Sequence, residues 1–229
     1  MRLAIMQPYF FPYLGYFQLI HSVDTFVVYD DVNFIKGGWI NRNFMLSQGE
    51  KSRFTLELSG ASPNVCINEI AVGKNRRRLL KTISQNYAKA PKFDNVMPLI
   101  EEIVMFGDDN LARYVDHSLR KICHYLSLSP KWIISSSLKK DNNLRGQEKV
   151  LSICCKLGAK TYVNLPGGRD LYDQDDFKER GINLSFLESE VSEYQQFGSS
   201  FVPNLSILDV MMFNDLEECG TLLAGYAIG

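Results

Sequence analysis

The 229-residue sequence has few of the residues on which hydrolytic, redox and metal enzymes commonly rely. It contains three histidines, and none lies in the N-terminal motifs described below, so no Ser-His-Asp arrangement can be argued. Its five cysteines are odd in number and form no C-x-x-C pair. A zinc site or a disulfide framework is therefore not expected, and a reducing cytoplasm is the simplest interpretation.

Long apolar runs and a large net charge are also missing. No run approaches the roughly 20 apolar residues that a membrane span needs, and the first apolar run stops at Gln7-Pro8, too early for a signal peptide. The formal net charge is −1, so no overall field attracts nucleic acid or an anionic membrane. These absences predict a cytoplasmic globular protein with no membrane or DNA partner.

Alternating strand and helix patterns are present at both ends of the chain. Residues 2–6 and 25–29 are short apolar runs typical of buried strands, and residues 13–20 between them have helical spacing. Strand and helix patterns alternate again from 131 to 187, and three helical patterns fill about 75–127. The stretch that follows, up to residue 72, is β-rich, with a hairpin loop at 47–50 and strands at 53–58 and 67–72, and all of it could belong to one sheet. We predict one α/β domain, residues 1–229, with a mostly parallel sheet and a helical lobe around 75–127.

Asp30 and Asp31 follow the second predicted strand and are the sharpest chemical feature. Ligands collect beyond the carboxyl ends of parallel strands, where these side chains would lie. One carboxylate could serve as a general base, or the pair could bind Mg²⁺ through oxygen ligands. The alternative is a solvated turn that caps the next segment.

The residues of two nearby loops indicate contacts with a ligand. Arg42 suits a phosphate or carboxylate, Asn41 and Asn43 can hydrogen-bond either sign of partner, and the adjacent glycine pair allows a close backbone approach. Tyr9, in a stiff loop between two prolines, could stack on a base or sugar, whereas its neighbours Phe10 and Phe11 fit the core equally well.

A hydroxyl-rich loop follows a later strand. Ser135 and Ser136 could bind phosphate together with the start of the next helix, although serines are common at strand ends. The three arginines at 76–78 fit a solvated helix face.

The motifs MQPYFFPYLGYFQLI, VDTFVVYDDVNFIKGGWINRN, SSSL and FVPNLSILDVMMFN resemble the WbqC-like family across essentially the whole length. The resemblance implies a protein of bacterial surface-polysaccharide (O-antigen) gene clusters that acts near enzymes of nucleotide-linked amino-sugar synthesis. It also implies site residues in the matching motifs: Gln7, Pro8, Tyr9, Asp30, Asp31, Lys36, Asn41, Arg42, Asn43, Ser206, Asp209 and Asn214.

A second, partial resemblance concerns the nucleotidylyltransferases. Residues 11–16 are similar to their F-x-P-x-H-x-G-H region and residues 134–139 to their I-S-S-T-x-I-R loop, which implies a Rossmann-like sheet. Tyrosines stand where that superfamily has its two histidines, so nucleotide binding is expected more than nucleotidyl transfer.

The resemblance to the WbqC-like family implies N-acyl or aminoacyl transfer to the amine of a nucleotide-linked amino sugar. Asp30, Asp31 and Lys36 would be catalytic. The residues that would bind substrate are Gln7, Tyr9, Asn41, Arg42, Asn43, Ser135, Ser136, Ser206, Asp209 and Asn214. The acyl donor could be coenzyme A, a carrier protein or an aminoacyl-tRNA, although the near-neutral charge weighs against a tRNA. The alternatives are a Mg-dependent nucleotidyl- or glycosyltransferase and a non-catalytic nucleotide-sugar binding protein; the expected site otherwise contains no metal.

Overall fold

A six-stranded sheet forms the centre of the computed structural model, which describes residues 1–190, 192–198 and 200–229. The strand order is β10-β9-β8-β1-β2-β7. All pairs are parallel except β10 with β9. Counted from β7, the sheet strands run third, second, first, fourth, fifth and sixth in chain order, which is the doubly wound order of Rossmann folds. The α/β fold with a mostly parallel sheet is confirmed.

The strands are β1 (Arg2–Met6), β2 (Thr25–Val28), β3 (Arg42–Ser47), β4 (Glu50–Thr55), β5 (Leu58–Ser59), β6 (Ala71–Val72), β7 (Lys131–Ile134), β8 (Thr161–Asn164), β9 (Asn183–Ser189) and β10 (Tyr226–Ile228). The α-helices are α1 (Leu14–His21), α2 (Arg76–Tyr87), α3 (Phe93–Val104), α4 (Leu111–Tyr125), α5 (Gly146–Leu157), α6 (Gln174–Glu179), α7 (Ile207–Phe213) and α8 (Leu216–Ala224). Among the described residues, no helix is both long and apolar enough to cross a membrane.

The sheet is covered on both faces, which explains why its central strands read as continuous apolar runs. Leu3 and Ile5 pack with residues of α5 and α6 such as Phe177, whereas Ala4 and Phe26 belong to the larger core on the other face. Burying a leucine, isoleucine or phenylalanine side chain contributes about 1.5–3 kcal/mol to stability. Packing on both faces of the sheet holds the strands, and therefore the loops at their carboxyl ends, in place.

The helical lobe lies between β2 and β7, as predicted, and consists of α2, α3 and α4. Its last helix, α4, begins after Asn110, whose side chain caps the helix by accepting a hydrogen bond from the Arg113 amide. Gly158 ends α5 in the left-handed conformation (φ 70°), which glycine adopts without steric cost.

The predicted hairpin loop at 47–50 is confirmed, but the strands from 42 to 72 do not belong to the main sheet. β3 and β4 form a separate hairpin with a two-residue turn, and β5 pairs with β6. The free edge of β3 is occupied, because the Phe44 carbonyl accepts from the Ser206 amide and the Leu46 amide donates to Tyr87 Oη. The strand predicted at 67–72 is largely a 3₁₀ turn, Ile67–Glu69, closed by the Glu69 side chain on the Cys66 amide.

Candidate functional site

A cleft of about 580 Å³ lies beyond the carboxyl ends of β2 and β7. This volume is within the range of ligand sites, roughly 300–1,000 Å³. Its walls come from the segment after β2, the 3₁₀ turn before β6, the Ser135–Ser137 turn and the start of α5. The lining residues are Tyr29, Asp31, Val32, Asn33, Cys66, Asn68, Ser136, Asn142, Arg145, Gly146 and Lys149.

Asp30 is buried and holds the floor of the cleft together. Its Oδ1 accepts from the Ser136 amide at 2.9 Å, and its Oδ2 accepts from Ser136 Oγ at 2.6 Å and from Asn68 Nδ2 at 3.3 Å. These three donors join the ends of β2 and β7 to the turn before β6. Asp30 therefore positions two residues that line the cleft and does not line it itself.

Asp31 contacts a different set of partners. Its Oδ2 is 2.7 Å from Lys140 Nζ and 3.1 Å from Lys149 Nζ. Both lysine side chains are almost completely buried. Lys149 also donates to the Asp31 carbonyl at 2.7 Å, and Lys140 donates to the Ser135 carbonyl. We call Asp31, Lys140 and Lys149 the lysine cluster.

The lysine cluster keeps Asp31 ionised. Burial alone would raise the pKa of Asp31, but hydrogen bonds from Lys140 and Ser135 and the charge of Lys149 lower the pKa below its usual value. Asp31 Oδ1 is buried, and so is the hydroxyl oxygen of Ser135. Burial and the charge of Asp31 raise the pKa of the nearby Tyr29 hydroxyl, so Tyr29 stays neutral at physiological pH.

Two cationic side chains line the cleft near the start of α5. Lys149 lies one helical turn after Arg145, which precedes the helix, and both line the cleft. The first amides of a helix lack intrahelical acceptors and attract anions. Two cations at such a helix start are suited to a phosphate group.

The aspartates do not fit a Mg²⁺ site. Both oxygens of Asp30 already accept N–H or O–H donors, and two ammonium groups crowd Asp31 Oδ2. These cations would repel a divalent metal ion. Asp30 and Asp31 also contact different partners, so they do not act as a pair.

The structure brings only part of the predicted site to the cleft. Asp31 and Ser136 line it, while Asp30 and Ser135 lie directly behind it. Lys36 is exposed and does not line the cleft.

Other predicted residues make local contacts away from the cleft. Tyr9 packs against Tyr16 with ring centroids 5.4 Å apart, and Tyr16 donates to the Gln7 carbonyl. Asn41 donates to the Leu56 carbonyl and Arg42 to the Gly38 carbonyl. Pro8 is buried.

The remaining motif residues connect the hairpin to the tail. Asn43 Nδ2 and Ser206 Oγ both donate to the carbonyl of Phe11, at 2.9 and 2.7 Å. Phe11 has a positive φ of 45°, a conformation that is uncommon for a non-glycine residue, and the two hydrogen bonds hold it. Asn214 Nδ2 donates to the Val210 carbonyl. These contacts indicate an architectural role.

Asp209 is the centre of a closed polar network. It accepts from Tyr87 Oη at 3.0 Å, Tyr194 Oη at 2.8 Å and Gln196 Nε2 at 2.6 Å. Burial raises the pKa of Asp209, although these hydrogen bonds act in the opposite direction. Burial likewise raises the pKa of both tyrosine hydroxyls, so they remain donors. We call these four residues the tyrosine network.

A second cavity, of about 400 Å³, lies near the ends of β8 and β9, on the side of the topological switch point between β1 and β8. Doubly wound folds often bind ligands at this point. However, Glu188 is the one charged residue among those described that line it. This cavity offers no cation to a phosphate, whereas the cleft beyond β2 and β7 does.

The sequence interpretation missed Lys140, Arg145 and Lys149. Lys149 could have been noticed, because it stands four residues before the fully buried Ile153 on the apolar face of α5. A lysine on such a face is rarely buried without a partner. Nothing in the sequence identifies Asp31, 118 residues away, as that partner.

Comparison with known proteins places the chain. The WbqC-like protein family matches residues 7–220. The uncharacterized protein Rv1507c of Mycobacterium tuberculosis (strain ATCC 25618 / H37Rv) is 28% identical over 218 residues, covering 93% of each chain. No solved structure shows a significant match. Because the family match spans nearly the whole sequence, the protein belongs to the WbqC-like family.

Proposed function

We propose that the protein is a transferase that acylates the amine of a nucleotide-linked amino sugar, in the biosynthesis of a surface polysaccharide. One observation carries the proposal: the cleft combines the cations Arg145 and Lys149 with an ionised aspartate, Asp31. A ligand that carries both phosphate and an amine matches these groups. Membership of the WbqC-like family supports the same substrate class.

The phosphate end of the substrate would lie at the start of α5. Arg145 can form paired hydrogen bonds with phosphate oxygens, and the Lys149 ammonium adds a fixed charge. Asn33, Asn68 and Asn142 also line the cleft and can hydrogen-bond the hydroxyls of a sugar or ribose.

The amine end would face the carboxylate of Asp31, which lines the cleft. In the transfer, the amine nitrogen bonds to the acyl carbonyl carbon, and the bond from that carbon to the donor's oxygen or sulfur breaks. The proton lost by the amine ends on the departing oxygen or sulfur. The lowered pKa of Asp31 makes it a good partner for an ammonium and a weak base, so its main role would be to orient the amine. The acyl donor would be a coenzyme A thioester, a carrier protein or an aminoacyl-tRNA.

Lys149→Met and Lys140→Met provide a matched test. Both variants remove one of the two ammonium groups on Asp31, but only Lys149 lines the cleft. Calorimetric titration with nucleoside-diphosphate-linked amino sugars should show affinity at least about 10-fold weaker for Lys149→Met, equivalent to about 1.4 kcal/mol. Lys140→Met should bind within about threefold of wild type. Equal affinities in the two variants, or no binding by the wild type, would overturn the proposal.

A transfer assay then separates enzyme from binding protein. Non-catalytic binding stays a second candidate because every Asp30 oxygen is already hydrogen-bonded and Asp31 is a weak base. Mass spectrometry of the amino sugar after incubation with each donor class should show the added acyl mass. Tight binding without transfer from any donor would support the non-catalytic binding protein. Transfer activity that a chelator abolishes would support the Mg-dependent alternative.

A further inference from the structure

The near-zero net charge of the protein hides a strong segregation of charge. Residues 32–92 contain eleven Lys or Arg and three Asp or Glu, a formal net charge of +8. The other residues therefore carry −9, since the total is −1. The positive stretch includes the β3–β4 hairpin and α2, and we call it the basic segment.

Most of these cations are free to meet a partner. Arg76 and Lys92 pair with acidic residues outside the segment, and Arg78 pairs with Glu57. Seven others are exposed and have no ion pair within the described residues: Lys36, Lys51, Arg53, Lys74, Arg77, Lys81 and Lys89. Exposed cations that lack local counterions attract a polyanion and release its counterions on binding.

The hairpin and the residues just before it carry aromatic rings among these cations. Trp39 is 42% exposed, which is unusual for so large an apolar side chain, and its ring stands edge-on to that of Phe44 at 6.0 Å. Arg53 is directly opposite Phe44 in the β3–β4 register, so the two share a face of the hairpin. Rings interleaved with cations form the usual surface on which bases of a single strand stack.

Helix α2 is fixed to the hairpin along its length. At its start, Asn75 Nδ2 donates to the Thr55 carbonyl at 2.8 Å; at its end, Tyr87 Oη accepts from the Leu46 amide at 3.1 Å. Arg77 and Lys81 are four residues apart and share one helical face. The two elements therefore carry their charges as one rigid body.

We propose that the basic segment binds single-stranded RNA, with phosphates on the exposed lysines and arginines and a base stacked on Trp39. The segment also supplies Asn33, Cys66 and Asn68 to the cleft wall, so a strand bound there could place its end at the cleft. The choice of RNA over DNA rests on the proposed function, in which an aminoacyl ester at an RNA 3′ end is one possible acyl donor. An anionic membrane is the competing polyanion.

Fluorescence anisotropy tests the proposal with a labelled single-stranded RNA of about 12 nucleotides and with unfractionated deacylated tRNA. Two double variants, Lys51→Glu/Arg53→Glu and Arg77→Glu/Lys81→Glu, should each weaken binding at least about 10-fold and flatten the salt dependence by about 0.7 per lost phosphate contact. Trp39→Ala should weaken binding by about 5-fold or more without changing the salt dependence. The matched control is Lys156→Glu/Lys178→Glu, which reverses two exposed lysines outside the segment and should bind as wild type.

Three results would overturn the inference. These are no RNA binding by the wild type, equal weakening in the control variant, and tighter binding to phosphatidylglycerol vesicles than to RNA. A DNA strand of the same sequence that binds as tightly as RNA would contradict the choice of RNA. Nucleotide-sugar titrations on the same variants keep the two proposals separate: binding of the sugar without binding of RNA would leave the proposed function intact with a small-molecule or carrier-protein donor.

Discussion

Asp31 is a partly buried carboxylate and Asp209 a fully buried one, and their surroundings have opposite effects on their pKa. Two ammonium groups surround Asp31 and lower its pKa. Asp209 is hydrogen-bonded to two tyrosines and a glutamine, and burial raises its pKa. Asp31 lines an open cleft, whereas Asp209 is completely buried. Both residues lie in motifs that resemble the family, so a shared motif does not by itself distinguish a binding residue from an architectural one.

The two networks differ in whether they leave a net charge that a ligand can neutralise. Neutral hydroxyl and amide donors satisfy Asp209 and leave no charge for a ligand, so the tyrosine network holds β3, α2 and the tail together. The lysine cluster contains two cations and one anion, and an anionic ligand can complete its charge balance. A charged network next to a cleft therefore indicates binding, and a neutral one in the core indicates stability.

Asp209→Ala should have the largest effect on stability. The change leaves three buried donors without an acceptor, and each can cost about 1–3 kcal/mol. We expect the free energy of unfolding in urea to fall by about 4 kcal/mol, with nucleotide-sugar affinity of the folded protein unchanged. Asp170→Ala, at an exposed position, is the control and should change stability by less than about 0.5 kcal/mol. Weak nucleotide-sugar binding by folded Asp209→Ala would show that the two networks are not separate.

Asp31→Ala should cost somewhat less and should respond to anions. Two buried ammonium groups lose their counterion, which typically costs about 3 kcal/mol. Inorganic phosphate should restore part of this loss, because a phosphate in the cleft neutralises Lys149. Urea unfolding in phosphate and in chloride at equal ionic strength would measure the restoration. Asp209→Ala is the control for general salt effects, and equal restoration in both variants would contradict an anion site at the lysine cluster.

Local patterns in the sequence identified the parallel strands, the lobe and the position of Asp31. Apolar runs, caps such as Asn110 and the C-terminal glycine of α5 act over a few residues, so they can be read directly. The hairpin loop at 47–50 was identified, but its separation from the main sheet was not, because Tyr87 and Ser206 cover the β3 edge from distant parts of the chain. The alternation of polar and apolar residues predicts a strand, but it does not show which other part of the chain will pair with that strand's edge.

The site was only partly predictable for a similar reason. Asp30 and Asp31 were interpreted as a pair, but in the structure Asp30 accepts from the Ser136 turn and Asp31 contacts the two lysines. The lysines come from a loop and a helix more than 100 residues later. The charge of the basic segment was visible in the sequence and was hidden only by summing over the whole chain.

The smallest expected effect is a difference in how the two aspartates respond to pH. The folded pKa of Asp209 is raised above its usual 3.8, so the folded state keeps that proton to higher pH than the unfolded state. Its contribution to stability is therefore greatest below about pH 3.8 and declines as pH rises through the folded pKa. The folded pKa of Asp31 is below 3.8, so its contribution is complete above that pH and is lost as pH falls through the folded pKa.

Urea unfolding of wild type, Asp209→Asn and Asp31→Asn between about pH 3 and pH 7 would measure both trends. The destabilisation by Asp209→Asn should shrink as pH rises, with a slope no steeper than about 1.4 kcal/mol per pH unit. The destabilisation by Asp31→Asn should instead be constant from pH 7 down to about pH 4 and shrink only below it. Parallel curves for the two variants would show that the lysines and the tyrosines impose the same environment on their carboxylates, and the contrast between the two regions would fail.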